Sequence, residues 1–326
     1  MVTSVIEKLT GPKRKDPLFL VGDSRSGTTF LANLLINHRD IGLAPESKFI
    51  LRLLDNFEDR PMTGEASLDS ALEMIFHEKK FLDWNIDRGD LRSALKGRLP
   101  LTFDDLSRFI LLYYCDRHFS ECRVWGLKKG GRYILEASRL LRHFPQARFV
   151  HLIRDGRAVF SSKRKAIHSG SGRPLETNVI RAAQTWVDSV EAFDLFRKHH
   201  PDSALEVSYE ALLTNLDDVL ERIFVFLSVD LDPNIAARAR ESLDPAYVVE
   251  RSRHLHANVS KPPLPERIAS WRNELPEREV RTYEMVARRV LEEKGYATRT
   301  ENADILSTIT YRLMRSAKTL HRLLTR

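Results

Sequence analysis

Residues Leu18-Phe19-Leu20-Val21 form a short apolar run after Pro17, and Phe30 to Ile36 carry helically spaced apolar side chains. Between them the chain turns through Gly22-Asp23-Ser24-Arg25-Ser26-Gly27-Thr28-Thr29. Strand, glycine turn and helix in that order make a phosphate-binding loop, in which backbone N–H groups converge on phosphate oxygens at the helix N-terminus. Gly22 and Gly27 have the required spacing. A nucleotide triphosphatase places lysine after the second glycine, to reach the β- and γ-phosphates, and then a hydroxyl for Mg²⁺. Here the hydroxyl position is Thr29, but Thr28 stands where the lysine belongs. Such a loop cradles a phosphate and is poorly equipped to neutralise a triphosphate with its metal. It suits a nucleotide with fewer charges.

Further along, strand and helix patterns repeat. Ser47 to Leu54 reads as a short helix, residues 55 to 100 as short helices and loops covering one end of a sheet, and Phe103 to Phe119 as an amphipathic helix. Val124-Trp125-Gly126-Leu127-Lys128 is a strand, followed by the turn Gly130-Gly131 and a helix from about Tyr133 to Phe144. The run from Arg148 to Ile153 is another strand, entering the charged turn Arg154-Asp155-Gly156-Arg157 and a helix from Ala158 to about His168. A long helix over about Thr177 to Lys198, a strand over Ala204 to Ser208 and a helix over Asp217 to Leu227 follow. This alternation predicts an α/β, three-layer fold with a central parallel sheet flanked by helices, of the P-loop type. Ligands of such sheets gather at the strand C-termini. Residues 22 to 29, 128 and 154 to 162 all fall there. From about Pro245 to Pro276 the chain is rich in Pro, Arg, His and Ser and reads as an ordered loop or lid.

The net charge of +7 implies attraction to anions, including nucleotides, acidic saccharides, acidic peptides and anionic lipid. No helix-turn-helix, finger or RNA-binding signature accompanies the charge, so nucleic acid is not the expected partner. No stretch approaches the roughly 20 apolar residues that span a bilayer, and Met1 to Lys15 lacks the apolar core of a secretory signal. A soluble, cytoplasmic protein is expected. Cys115 and Cys122 are the only cysteines, read as buried free thiols. The tail from Ile305 to Arg326 sets Leu306, Ile309, Leu313, Leu320 and Leu323 on one helical stripe, with Arg312, Arg315, Lys318 and Arg322 opposite. A basic amphipathic helix over 301–326 packs on its own domain or lies on the inner face of a membrane, as a peripheral contact.

An adenine nucleotide with two separated phosphates needs a second anion site. Arg154 at the end of a strand, with Ser162 eight residues later, supplies a guanidinium and a hydroxyl, aided by Arg157 or Arg164. Together, Gly22-x-x-Arg25-Ser26-Gly27-Thr28-Thr29 and Ile153-Arg154-Asp155-Gly156-Arg157 with Ser162 resemble the two phosphate-binding segments of sulfotransferases that use 3′-phosphoadenosine 5′-phosphosulfate (PAPS). The resemblance is nearest the branch containing protein-tyrosine sulfotransferases and many bacterial enzymes, and covers about Phe19 to Trp271.

By that resemblance Arg25, Ser26, Gly27, Thr28 and Thr29 grip the 5′-phosphate and sulfonate, and Arg154 and Ser162 the 3′-phosphate. Tyr209, in Val207-Ser208-Tyr209-Glu210-Ala211-Leu212, matches a Tyr-Glu-Asp-Leu segment that approaches the nucleotide, with Ala211 in place of the acid. Lys261-Pro262 matches a late lysine that closes over the donor, joined by Ser252. Lys128 matches the lysine of a Gly-x-Lys-x-Pro segment; here Gly130 replaces proline and leaves the role open between Lys128 and Lys129. Moving a sulfonate to a hydroxyl is an in-line displacement, in which the acceptor loses a proton while charge develops on the bridging and sulfonate oxygens. Glu46 matches the family's glutamate base, with Lys128 and Arg25 as cations and His38 and His118 as fallback bases. No metal is implied, and the product is adenosine 3′,5′-bisphosphate. The resemblance implies one sulfotransferase domain over 1–300, with a helical acceptor-side excursion at 55–120 and a lid at 245–276. Acceptor pockets would draw on residues 47 to 120, the turn around His168 to Arg173 and the 245 to 263 loop. The acceptor is a small molecule, saccharide or peptide. Two other functions fit parts of the sequence: a small-molecule kinase with a degenerate loop, and a non-catalytic membrane-surface adaptor.

Overall fold

The computed structural model describes residues 16–119, 122–168, 171–232, 234–237 and 265–299. They divide into two compact units, one drawn from Met1–Ile153 and Phe193–Pro263, the other from Arg154–Ala192 and Leu264–Arg326.

The first unit holds a five-stranded, wholly parallel sheet, flanked by helices. β1 (Leu18–Gly22) is its middle strand and is buried throughout, as the continuous apolar run requires. α1 (Thr28–Leu35) leads to β2 (Ile41–Ala44), an edge strand that the sequence pattern does not announce, being four residues long and closed by Pro45. α2 (Phe49–Phe57), α3 (Glu65–Phe76), α4 (Lys79–Leu82), α5 (Arg88–Ala94) and α6 (Phe103–His118) follow before β3 (Val124–Gly130). α7 (Arg132–Leu135) and α8 (Ala137–His143), where one helix was expected, are separated at Glu136 and lead to β4 (Arg148–Ile153). β5 (Ala204–Ser208), α11 (Tyr209–Thr214) and α12 (Leu216–Leu227) complete the unit, and α9 (Gly156–Lys165) and α10 (Val179–His199) fall between β4 and β5 in the chain. The strand order is β2-β3-β1-β4-β5, so the chain runs from β1 to the edge at β2, returns to fill the gap with β3, and then crosses to the other side for β4 and β5. Between β1 and β4 lies the switch point, and ligands of open parallel sheets bind beyond the strand ends there.

Packing explains the local departures from the sequence pattern. α6 is buried on almost every side instead of being amphipathic, because it packs against α2, β2 and β3. Its one buried cation, Arg108, is satisfied by Asp16, Asp104 and the His143 carbonyl. Thr102 and Asp105 close the helix start with a reciprocal capping box. Phe19 carries the core outward from β1, with ring centroids 4.8 Å from Phe149 and 5.8 Å from Tyr133. Cys115 and Cys122 are buried and form no disulfide, as expected.

The second unit contains α9 (Gly156–Lys165), most of α10 (Val179–His199), and α13 (Trp271–Glu274) with α14 (Glu277–Glu293). Its centre is Arg157, 1% exposed, which pairs with Asp155 and Glu284, donates to the Ala297 carbonyl at 3.0 Å and stacks 4.1 Å over Trp271. Val280, Tyr283, Ala287, Val290 and Leu291 form the buried stripe of α14. No helix among the described residues is long and apolar enough to cross a membrane.

Candidate active site

The loop that follows β1 is held in a backbone shape few residues adopt. Arg25 has φ 75° and Gly27 φ 98°, with the Ser26 N–H donating to the Asp23 carbonyl at 3.1 Å between them. Gly27 is required twice over: its φ is left-handed, and a Cβ there would lie 2.5 Å from the Tyr209 ring. A Cβ on Gly22 would lie 2.7 Å from the Leu152 carbonyl of β4. α1 starts at once from this loop, with no side chain capping it and no acid in its first turn. Its N-terminal N–H groups and the positive end of its dipole thus face the switch point, the arrangement that binds an anion. Ser26, Thr28 and Thr29 are buried in the loop wall, and Arg25 is partly exposed at its rim.

Tyr209 reaches this loop because β5 ends at Ser208, whose side chain accepts from the Ala211 N–H at 3.0 Å and starts α11. The sequence-assigned tyrosine and the glycine it covers therefore meet.

β3 lies beside β1 in register, pairing Leu20 with Lys128 and Val21 with Lys129. Lys128 Nζ donates to Thr29 Oγ1 at 2.9 Å and stands 3.9 Å from Glu46 Oε2. Lys129 Nζ donates to Glu46 Oε1 at 2.8 Å, and Lys80 Nζ lies 2.6 Å from the same oxygen. Burial pushes the Glu46 carboxyl up, but the Lys128, Lys129 and Lys80 ammoniums outweigh it and hold the group well below the usual carboxylate range. It is ionised at neutral pH. Burial lowers the Lys128 pKa against the pull of Glu46, and pushes Lys129 down to about 8, with Lys80 adding to the same direction. Both lysines flanking the sequence ambiguity are thus in the site, Lys128 at the loop and Lys129 on the carboxylate. Lys80 joins them from the 55–100 region, where no pattern pointed to it.

The fallback histidines are used otherwise. His38 accepts from the Asp40 N–H through Nδ1 at 3.1 Å, so Nε2 donates to the Asp230 carbonyl at 2.8 Å. That ring is a buried structural bridge. His118 stacks on Tyr114 with centroids 4.2 Å apart at the end of α6, its pKa lowered by burial and then by Arg117.

In the second unit Arg154 and Ser162 are both partly exposed, and the Arg154 carbonyl accepts from Trp186 Nε1 at 3.0 Å. Asp155 caps α9 through the Arg157 N–H at 2.9 Å. Arg157 does not aid a phosphate site, contrary to the sequence expectation, because Asp155 and Glu284 hold its guanidinium in the unit's core. Arg164 is paired with Glu279. Ser252, Lys261 and the 301–326 helix lie outside the described residues.

The profile of the sulfotransferase family matches residues 17–233, well over half of the chain. The chain belongs to this family. A protein-tyrosine sulfotransferase of Drosophila melanogaster is 24% identical over 278 residues, which is 81% of this chain and 48% of that protein. This sulfotransferase-family chain therefore spans about half the length of that relative. Among solved structures, the sulfotransferase domain of the curacin biosynthetic pathway aligns with a TM-score of 0.56 at 16% identity, over 87% of this chain and 99% of that one. The sulfotransferase domain of the Synechococcus olefin synthase gives 0.55 at 22% identity, over 88% and 98%. These two share the fold of the family member described above.

Proposed function

We propose that this protein moves a sulfonate group from PAPS to a hydroxyl or amine acceptor, with Glu46 as the base. The observation that carries this reading is the convergence of an ionised carboxylate and a buried ammonium on the phosphate-type loop: Lys128 bonds Thr29 while standing 3.9 Å from Glu46. The donor set suits a nucleotide phosphosulfate, since backbone N–H groups at the start of α1, the Thr28 and Thr29 hydroxyls, Arg25 and Lys128 all favour a compact anion. When bound, PAPS supplies an activated sulfonate and a stable leaving group.

The chain's own residues then divide the work. Arg25, Ser26, Gly27, Thr28 and Thr29 hold the 5′ end, while Tyr209 lies on Gly27 and borders the nucleotide. By their motif Arg154 and Ser162 hold the 3′-phosphate, and Ser252 and Lys261 complete the donor contacts. Lys128 offsets charge that develops at the loop. Glu46 takes the acceptor's proton at a carboxylate oxygen, and to do so it must loosen part of the lysine hold that keeps it a weak base. The acceptor is a small molecule, saccharide or peptide.

Thermal unfolding with adenosine 3′,5′-bisphosphate tests the donor assignment. A ligand at 100 times its Kd stabilises by roughly 2.7 kcal/mol. Wild type and Glu46→Gln are expected to show such protection, and Arg25→Ala and Arg154→Ala to lose it. Transfer of label from PAPS into a native extract is expected from wild type and not from Glu46→Gln. Protection by ATP with Mg²⁺ in preference to the bisphosphate, or undiminished binding by both arginine variants, refutes the proposal.

A further inference from the structure

Glu78 sits just before α4 and is 6% exposed, yet neither of its oxygens is spent within its own helix. Oε1 accepts from the Lys48 N–H at 2.7 Å, and Oε2 accepts from the same N–H at 2.9 Å and from Ser47 Oγ at 2.9 Å. Ser47 Oγ accepts in turn from the Phe49 N–H at 3.1 Å, and the Ser47 carbonyl accepts from the Tyr133 hydroxyl at 3.2 Å. The two residues that follow Glu46 are thereby pinned by a buried carboxylate from thirty residues away.

That carboxylate has little room to shift. Phe81 in α4 packs against Phe49, Phe76 and Trp84 with centroids 5.6, 5.2 and 5.1 Å away, which fixes α4 on α2. Lys80, two residues after Glu78 in the same turn, reaches the Glu46 carboxylate itself at 2.6 Å. One short aromatic-anchored segment therefore grips Glu46 both through its following backbone and at its charge.

We propose that Glu78 is a positioning residue for Glu46, acting through the Ser47–Lys48 backbone to hold the carboxylate at the loop. This rests on the reading of Glu46 as the base. Capping of α2 alone is the competing role: Lys48 offers no side-chain cap there, and a charged acceptor on its N–H stabilises the helix start. Positioning and capping differ in what Glu78→Gln does. Glutamine keeps the volume and one acceptor oxygen for the Lys48 N–H, but cannot accept from Ser47 Oγ at the other end. Displacements of about 1 Å at a reacting group lower rates by about 100-fold.

The experiment measures label transfer from PAPS into a native extract at saturating donor, together with calorimetric binding of adenosine 3′,5′-bisphosphate. Glu78→Gln is expected to lower turnover by about 10- to 100-fold while leaving the bisphosphate Kd within about threefold. Ser47→Ala, which keeps the Lys48 contact and removes both hydrogen bonds of the Ser47 hydroxyl, is expected to show a smaller loss of the same kind. In a Glu46→Asp background, where the carboxylate is already withdrawn by one methylene, Glu78→Gln is expected to cost markedly less. Wild-type turnover in both Glu78→Gln and Ser47→Ala, parallel loss of turnover and binding, or an equal ratio in the Glu46→Asp background overturns the positioning role. Undiminished turnover by Glu46→Gln removes the base assignment itself, a separate failure visible in a separate variant.

Discussion

Lys129 offers a quantitative test of how the site is balanced. Its side chain is 3% exposed, and burial, with Lys80 adding to it, holds the ammonium near pKa 8 despite the Glu46 contact at 2.8 Å. A free lysine titrates at about 10.4, so keeping this proton at neutral pH costs the folded state about 3 kcal/mol. Because the folded-state pKa lies below the unfolded one, the unfolded chain binds the proton first as pH falls. Stability from this group is full above about pH 10.4, declines down to pH 8, and changes no further below that. Lys129→Met keeps most of the side-chain volume, removes the buried charge and leaves Glu46 paired with Lys80 at 2.6 Å. The variant is expected to be more stable than wild type at pH 7 by up to about 3 kcal/mol, the cost of the buried proton that it removes. Urea unfolding at pH 7 and pH 10.4 reads both limits, and the gap should close at the higher pH, where the wild-type lysine is already neutral. Equal or lower stability of the variant at pH 7, or a gap that persists undiminished at pH 10.4, refutes the reasoning.

Gly27→Ala is expected to lose about 2–4 kcal/mol, from the left-handed φ and the crowding of the Tyr209 ring, and to lose bisphosphate binding with it. Thermal unfolding and calorimetry check the two parts, and a wild-type Tm would show that the ring yields. Arg157→Ala should cost about 3–5 kcal/mol in the second unit, because it removes the buried guanidinium with which Asp155 and Glu284 both pair. Adding Glu284→Gln should recover part of that loss, as read by denaturant midpoints.

Much of the sheet was legible because each of its long strands announces itself. β1, β3 and β4 are largely apolar runs ended by glycine or charge, β5 is a short run before the Tyr209 segment, and their order with helices between them dictates parallel pairing. β2 escaped because four residues, Ile41 to Ala44, carry too little pattern to separate a strand from a connection. α14 passed unnoticed although its stripe at Val280, Tyr283, Ala287, Val290 and Leu291 was readable. In the site, the loop and its tyrosine could be read locally, since Gly27 and Tyr209 each sit in a recognisable segment. The lysine knot could not. Lys80, Lys129 and Glu78 meet the Glu46 turn only through tertiary folding, and no spacing in the chain encodes that meeting. Arg157 shows the reverse error: a charged residue in a motif was read toward a ligand, when its partners lie in its own core.

Arg25 holds a left-handed backbone conformation, φ 75°, that glycine adopts without penalty and arginine does not. A library of this gene screened for heat resistance alone should therefore drift to glycine at position 25, gaining up to about 1 kcal/mol once the added unfolded-chain entropy of glycine is set against the relieved φ, while discarding the guanidinium at the loop rim. Laboratory evolution of a hardier variant would have to keep a functional screen running alongside, or it would select the anion site away at its first easy step.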